Sequence, residues 1–334
     1  MNARPHPAWG FVVLAAVACV EAPPTSAPVE VTDSAGIEIV RHGSLDTPEF
    51  SVDWGAAVRV GDAPVEGIGF FEVVSAVRLP SGGIAVADAG NHRVVYFEGD
   101  GTPRSTTGRQ GEGPGEFQQM GLASRWRGDS LVVWDHRARR LSVLDPQGTF
   151  ARSFMLESTE AVPWARVISV YADGSFLATG FADTGPGGIP SGRRGYPSPI
   201  YHFGPAGGHL ATTGVFMSGE SYFEALDNGG FRIYPAVFPR LNVRLAAGEL
   251  FVLASNETFE LRFLRRDGTP VRIVRGPSGV RPVSPELREA EIERLVEDDG
   301  GEAPEAFRRT LSAMETPEFV PEFTAAFADA VGRV

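Results

Sequence analysis

The fold is decided by residues 79–117, which read LPSGGIAVADAGNHRVVYFEGDGTPRSTTGRQGEGPGEF. A glycine-rich turn opens this stretch, and two apolar segments, IAVAD and RVVYF, follow on either side of a short polar break. Residues within the two segments alternate with a period of two, which is the pattern of β-strands. Asp100 and Gly101 then predict a hairpin turn, because glycine supplies the positive φ that such a turn requires. The stretch therefore predicts a meander of antiparallel strands.

The same order of turns and strands occurs three more times, so the stretch is one unit of an internal repeat. The leading turns of the first three units fall at Gly82, Gly128 and Gly174, two successive steps of 46 residues. The third unit is interrupted by an insertion at residues 182–196, and the fourth occupies residues 246–276. A sheet of four strands with its turns needs about 40 to 50 residues, so this period predicts an all-β chain folded as a β-propeller.

Segments outside the repeats predict further elements. Upstream, residues 36–40 and 51–60 have the alternation of strands. They fit either the outer strands of one blade or the segment that closes the ring. Downstream, residues 284–296 and 303–314 predict two amphipathic helices, which we place in an insertion at about residues 284–315 that packs on one face of the ring.

The last part of the sequence, residues 316–334, predicts the innermost strand of another blade and its turn. Closed rings avoid exposed strand edges, so a blade with a single strand would be a liability. One interpretation is that the last blade is incomplete and the chain is a fragment. The alternative is that the strands predicted within residues 36–60 complete that blade.

The N-terminal residues have the features of an export signal. Arg4 precedes an apolar stretch at residues 9–17 that is too short to span a bilayer as a helix. Small residues follow, as at the cleavage site of a signal peptide, which we predict over residues 1–18. The motif Ala16-Val17-Ala18-Cys19 resembles a bacterial lipobox and makes Cys19 the predicted lipidation site. The alternative is ordinary cleavage after Ala18.

Composition and charge limit the possible binding partners and the cellular location of the protein. Residues 19–30 are rich in Pro, Ala, Ser and Thr and predict a flexible tether, so the propeller is expected over residues 31–334. Cys19 is the only cysteine, which leaves no pair for an intrachain disulfide. The formal net charge of −12 argues against a nucleic-acid partner, because phosphate binding needs clustered positive charge. We expect an exported chain, periplasmic or anchored to the outer membrane, that contacts the membrane through its lipid anchor only.

One motif in the first unit resembles a known repeat. The order of Asp88, then Asn91-His92-Arg93, then a glycine-rich loop ending in Phe117 resembles the NHL repeat. More broadly, the chain is similar to the six-bladed β-propeller proteins that bacteria export in large paralogous sets. The resemblance implies six blades with a helical insertion before the last one. It implies a fold and not an activity, because one fold hosts many functions.

The polar residues of the motif have two interpretations. Asp88, Asn91 and Arg93 fall at the turn between two strands, where the Asp can cap backbone N–H groups and Arg93 can pair with it. In this first interpretation their role is structural. In the second they belong to a ring of ligand-binding groups at one mouth of the propeller.

The glycine-rich loop, residues 108–117, lacks the Gly-x-x-x-x-Gly-Lys spacing of a phosphate-binding loop and is not followed by a helix. It is expected to connect two blades, with Phe117 packed into the seam between them. Connections of this kind line the mouths of propellers. The predicted ligand-binding residues are therefore Arg93, Arg109, Glu112 and Glu116.

The sequence predicts no catalytic residue, metal ligand or cofactor. Its six histidines lack the spacing of a zinc-binding helix, and no Gly-x-Ser-x-Gly elbow occurs. We therefore favour a monomeric, non-enzymatic binding or protein-interaction module at the bacterial cell envelope, whose protein or small-molecule ligand is unknown. The alternative is a metal-dependent hydrolase or lyase of the propeller lactonase or amidating-lyase type, with ligands gathered from separate blades on the axis. A third alternative is a structural paralogue without a small ligand.

Overall fold

A computed structural model describes residues 29–44, 57–61, 68–160, 162, 164–180, 190–227, 230–277, 279, 281–299, 304–328 and 334. In chain order the strands are β1 (Val29–Ser34), β2 (Ile37–His42), β3 (Val73–Arg78), β4 (Ile84–Asp88), β5 (Arg93–Phe97), β6 (Pro103–Thr107), β7 (Met120–Arg125), β8 (Leu131–Asp135), β9 (Arg140–Leu144), β10 (Phe150–Met155), β11 (Arg166–Val170), β12 (Phe176–Thr179), β13 (Gly192–Arg194), β14 (Pro197–Phe203), β15 (His209–Met217), β16 (Ser221–Ala225), β17 (Phe231–Pro235), β18 (Asn242–Ala247), β19 (Leu250–Ser255), β20 (Glu260–Leu264) and β21 (Pro270–Arg275).

Three sheets of four antiparallel strands, and four antiparallel strands of a six-stranded sheet, correspond to the four predicted repeat units. Blade 1 contains β3–β6, blade 2 contains β7–β10, blade 3 contains β11, β12, β14 and β15, and blade 4 contains β18–β21. The first strands of the blades contact one another in the order β3, β7, β11, β18, as inner strands do around a common axis. This is the arrangement of a β-propeller. The total of six blades stays a prediction.

All four blades use the same register between their second and third strands. The last residue of the third strand pairs with the first residue of the second strand, or in blade 4 with its second residue, in the pairs Ile84–Phe97, Leu131–Leu144, Phe176–Phe203 and Phe251–Leu264. Equivalent positions of the four blades can therefore be identified by counting along the strands from these pairs.

The hydrophobic core lies in the seams between neighbouring blades. Tyr96 of blade 1 and Leu131 of blade 2 belong to one buried cluster, and Trp134 of blade 2 and Phe176 of blade 3 belong to the next. A third cluster joins blades 3 and 4 in the same way. Each large apolar side chain that is buried contributes roughly 1.5–3 kcal/mol, so these seams hold the blades side by side.

Two groups of strands lie outside the four blades. β1 and β2 form a hairpin, and β2 pairs in parallel with β21 at the outer edge of blade 4, so the strand predicted at residues 36–40 is present. Of the strand predicted at residues 51–60, residues 51–56 lie outside the described residues, and residues 57–60 are not a strand. β13, β16 and β17 form a separate sheet of three strands.

The strand predicted at residues 316–334 is wrong for the part that the structure describes, because residues 316–328 form only an isolated bridge. Pro317 and Pro321 carry no N–H group and cannot donate to a strand ladder. The N–H groups of Val320 and Glu322 bond to carbonyls of neighbouring loops instead.

The two predicted helices are present as α1 (Pro285–Asp299) and α2 (Pro304–Ser312). Ser284 caps the first of them, because its Oγ accepts the N–H of Leu287 at 3.2 Å. Both helices share a buried cluster with the sheet of three strands. Neither of these described helices is long and apolar enough to cross a membrane.

Candidate functional site

The inner strands line a cavity of about 470 Å³ near the ends of β3, β7, β11 and β18. Small residues, among them Ala76, Ala172, Ala246 and Gly248, form much of its wall. The volume falls in the range of small-molecule sites, about 300–1,000 Å³. We call this space the axial cavity, because residues of all four described inner strands contribute to it.

Side-chain hydrogen bonds fix the inner strands around the axial cavity. Ser75 Oγ on β3 accepts the N–H of Ala123 on β7 at 3.0 Å. Ser169 Oγ on β11 accepts the N–H of Ala246 on β18 at 3.1 Å. These bonds join neighbouring blades and hold their inner strands side by side around the cavity.

Three exposed arginines contribute to the lining of the axial cavity. Arg78 and Arg125 hold equivalent positions, since each ends an inner strand directly before a buried turn residue, Leu79 or Trp126. Arg127 follows the second of them, and its Cζ lies 5.0 Å from the centroid of the Trp126 ring. Among the described residues, none of the three guanidinium groups has a hydrogen-bond or ion-pair partner.

The lining of the axial cavity is positively charged. Its described residues include no Asp, Glu, His or Cys. Guanidinium groups bind carboxylates and phosphates through paired, charge-assisted hydrogen bonds. Three such groups without acidic neighbours in the lining can therefore bind an anion. In the part of the chain that the structure covers, no cluster of three or more His, Cys, Asp and Glu side chains could hold a metal ion.

The predicted residue Arg93 lies within blade 1, outside the lining of the axial cavity. Its Nε donates to Asp88 Oδ2 at 2.9 Å, and a terminal nitrogen donates to the carbonyl of Gly69 at 2.7 Å. Asn91 Nδ2 donates to the same carboxylate oxygen at 2.8 Å. The other oxygen of Asp88 accepts the N–H of Phe71 at 2.8 Å. These contacts are the ones that the structural interpretation of the motif predicts.

The predicted residues Arg109, Glu112 and Glu116 lie together in the connection between blades 1 and 2. Glu116 accepts the N–H of Gly113 at 2.8 Å, and a terminal nitrogen of Arg109 lies 2.6 Å from its Oε1. These two interactions, with that of Gly113 the larger, lower the pKa of Glu116. Glu112 Oε1 accepts the side-chain amide of Gln118 at 2.6 Å. All three side chains thus bond within the connection, and their role in ligand binding stays a prediction.

Blade 2 repeats the arrangement around Asp88. Asp135 Oδ2 accepts the N–H of Gln118 at 2.6 Å, and its Oδ1 accepts the N–H of Ala138 at 2.9 Å. Arg140 donates to three carbonyls of the glycine-rich loop, those of Glu112, Gly113 and Glu116. We call Asp88 and Asp135 loop anchors, because each ends the second strand of its blade and holds the loop that leads into the first.

A polar cluster beside the axial cavity joins blades 3 and 4. Arg266 donates to Asp173 Oδ2 at 2.6 Å, and its Cζ lies 4.2 Å from the centroid of the Tyr171 ring. Ser175 Oγ donates to Asp173 and lies 3.1 Å from His202 Nε2. Burial alone would raise the pKa of Asp173, but the hydrogen bonds from Ser175 and Arg266 outweigh it and hold the pKa at about 2. Burial, and then the charge of Arg266, lower the pKa of His202. Since Ser175 and His202 are buried, the cluster links blades and does not present a nucleophile.

The sequence-based prediction of site residues missed Arg78, Arg125 and Arg127. The 46-residue step of the repeat aligns Arg78 with Ser124, so the sequence did not mark the pair. Arg78 and Arg125 are equivalent in the structure, where each ends an inner strand opposite the start of the second strand.

Comparisons with known proteins find likenesses among solved structures only. No protein-family model matches the chain, and no curated protein matches it. A protein of Bacteroides fragilis described as exported aligns with 68% of this chain and 60% of its own, at 11% identity and a TM-score of 0.40. The virginiamycin B lyase of Staphylococcus aureus aligns with 63% of this chain and 72% of its own, at 7% identity and a TM-score of 0.32. The chain in a nidogen/laminin complex aligns with 60% of this chain and 84% of its own, at 11% identity and a TM-score of 0.33.

These likenesses are too weak to transfer a function. All three TM-scores lie under 0.5, and this chain spans less than two thirds of the Bacteroides fragilis protein. The assignment of the fold therefore rests on the four blades and their common register.

Proposed function

We propose that this protein is a non-enzymatic binding module that takes a small carboxylate- or phosphate-bearing ligand at the axial cavity. The observation that carries the proposal is the set of Arg78, Arg125 and Arg127, three exposed cations without a hydrogen-bond or ion-pair partner among the described residues. An anion there would relieve their mutual repulsion and form charge-assisted hydrogen bonds. The alternative of a metal-dependent hydrolase or lyase has less support, because the described lining supplies no metal ligand.

Titration calorimetry with citrate and with inorganic phosphate tests the axial cavity. We expect R125Q and R78Q each to weaken binding about tenfold or more, because a hydrogen bond to a charged group contributes about 1.5–3 kcal/mol. Added salt should weaken binding by the wild-type protein as well, since these arginines are exposed to solvent.

The control is R41Q, which removes the same charge from an outer strand. Arg41 on β2 is 3.8 Å from Glu30 and does not line the axial cavity. If R125Q, R78Q and R41Q bind citrate and phosphate alike, the ligand does not occupy the axial cavity. Absence of binding of both anions to the wild-type protein would also contradict the proposal.

We further propose that the protein is exported and carries a lipid on Cys19. Support comes from the apolar stretch at residues 9–17 and from the lipobox-like motif that ends at Cys19. Expressed in a bacterial host with labelled palmitate, the wild-type protein should take up label and sediment with membranes. C19A should lose the label and move to the soluble fraction, because the acyl chains are the proposed anchor. Label retained by C19A, or an unlabelled wild-type protein, would contradict lipidation at this residue.

A further inference from the structure

Blade 3 departs from the other blades at the position of the loop anchor. Counted along β12, the position equivalent to Asp88 and Asp135 falls on Gly180, which has no side chain. Blade 4 keeps an anchor one residue further on, since Asn256 Oδ1 accepts the N–H of Leu241 at 2.7 Å. Among the four described blades, blade 3 is therefore the one whose anchor position carries no side chain.

A cavity of about 400 Å³ lies beside Gly180, between blades 3 and 4. Its lining includes Arg166, the first residue of β11, whereas the axial cavity is lined by Val170 at the other end of that strand. The two ends of a strand of this length are roughly 13 Å apart. We call this second space the blade 3–4 cavity, and its lining shares no residue with that of the axial cavity.

Arg244 on β18 brings an unmatched charge to the blade 3–4 cavity. Its terminal nitrogens donate to Thr179 Oγ1 at 3.3 Å and to the carbonyls of Phe216 and Met217. No carboxylate among the described residues forms an ion pair with it. A partly buried guanidinium without a counter-charge has lost hydration without electrostatic compensation, and burial accordingly lowers the pKa of Arg244. An anion in the cavity would supply the missing counter-charge.

A second cation, Arg166, lies in the same lining. It is exposed and has no hydrogen-bond or ion-pair partner among the described residues, and its charge further lowers the pKa of Arg244. The acidic residue of the lining, Glu220, is already engaged. Its Oε2 accepts Arg193 Nε at 2.7 Å and the N–H of Arg240 at 3.0 Å. The cavity therefore has two cations whose charge no carboxylate of the described lining compensates.

Neutral side chains in the lining of the cavity also bear on which ligand it can bind. Ser198 is 2% exposed, and its hydroxyl has no hydrogen-bond partner in the described part of the chain. Ser198 lines the cavity, so its hydroxyl can donate a hydrogen bond to a bound ligand. Trp164 adds an aromatic side chain to the lining, and Leu241 adds an aliphatic one. This combination suits a ligand with a carboxylate at one end and an apolar, planar body.

We propose that the blade 3–4 cavity is a second ligand site, which binds the carboxylate of a small aromatic acid between Arg166 and Arg244. Ser198 donates to a carboxylate oxygen, and Trp164 packs against the ring. Gly180 lines the cavity through its backbone alone, because a Cβ at this position would lie 2.8 Å from the Tyr201 ring. This proposal does not depend on the axial cavity, since the two sites share no residue.

Ligand-observed NMR with benzoate and with its neutral analogue benzamide tests the second site. The wild-type protein should bind benzoate measurably at about 10 mM or below, and benzamide should bind at least about tenfold more weakly because it lacks the charge. R166Q should reduce benzoate affinity about tenfold and leave citrate binding at the axial cavity unchanged. R125Q should weaken citrate binding and leave benzoate affinity unchanged.

Two further variants keep the result interpretable. S198A removes only one hydroxyl and should weaken benzoate binding about threefold to tenfold. R41Q is again the control of equal charge and should bind benzoate as the wild-type protein does. The site is refuted if benzoate and benzamide bind equally, if benzoate does not bind, or if R166Q and R41Q cannot be distinguished. Failure of citrate binding alone would refute the axial cavity and not this site.

Discussion

Replacing Asp88 with alanine is expected to lower the free energy of unfolding by about 3 to 5 kcal/mol, because it removes one partner of a buried ion pair. The Asp88 side chain is fully buried and accepts hydrogen bonds from Phe71 N–H, Asn91 and Arg93. The variant leaves the Arg93 guanidinium without this carboxylate and the N–H of Phe71 without this acceptor. Urea-induced unfolding followed by circular dichroism measures the change.

Two variants calibrate the Asp88 measurement. D88N keeps an acceptor for the N–H of Phe71 but removes the charge opposite Arg93, so its loss of stability should be intermediate. D100A removes an Asp from an exposed turn, where the carboxylate accepts the N–H of Thr102 at 2.9 Å. We expect D100A to lower the free energy of unfolding by about 0.5 to 1.5 kcal/mol. Equal losses in D88A and D100A would contradict the role of Asp88 as a loop anchor.

The loop anchor could be predicted from the sequence because most of its partners are local. Asn91 and Arg93 follow Asp88 within one turn, and the spacing alone brings the three side chains together. Periodicity likewise predicted the four blades, since each blade is a meander whose neighbouring strands are consecutive or nearly so in the chain. The partner that the sequence did not reveal is the loop at Gly69 and Phe71, whose path depends on packing against the finished sheet.

The two cavities could not be predicted from the sequence, because each depends on residues from different units. Arg78 and Arg125 meet at the axial cavity only because β3 and β7 lie side by side. Arg166 and Arg244 come from strands of different blades, and their proximity follows from the seam between blades 3 and 4. Local motifs instead pointed to the glycine-rich loop as a ligand site. In the structure, the charged side chains of that loop bond to other residues of the same connection between blades 1 and 2.

The parallel pairing of β2 with β21 is another feature that the sequence could not predict. Alternation predicted a strand near residues 36–40, but it carried no information about its neighbour. The partner, β21, comes from the last described blade, and the pairing joins Ile39 to Ile273. Backbone hydrogen bonding between distant segments has no local signal in the sequence. Whether this strand lies at the outer edge of a blade or closes the ring could therefore be decided only from the structure.

Replacing Phe117 with alanine is expected to lower the free energy of unfolding by about 3 to 5 kcal/mol, because it removes a large side chain from the close-packed seam between two blades. Phe117 is 0% exposed and shares its buried cluster with Tyr96 of blade 1 and with Met120 and Leu131 of blade 2. The cavity left behind would lie between two sheets whose spacing is fixed by contacts such as the hydrogen bond from the N–H of Ala123 to Ser75 Oγ, so it cannot easily collapse. Unfolding in urea is again the measurement, and F327A is the control. Phe327 is 83% exposed, and its loss should change stability by about 0.5 kcal/mol or less.

A double-mutant cycle with Gly108 tests how Phe117 is held. Gly108 has a φ of +106°, and a Cβ there would lie 2.8 Å from the Phe117 ring and 2.8 Å from the carbonyl oxygen of His92. G108A should therefore destabilise the protein through backbone strain and through both close contacts. In the F117A background the ring contact is absent, so G108A should cost less there, and the part that remains measures the strain and the contact with His92. Costs that simply add would show that the Phe117 ring does not rest on the Gly108 backbone, because contacting residues couple and distant ones do not.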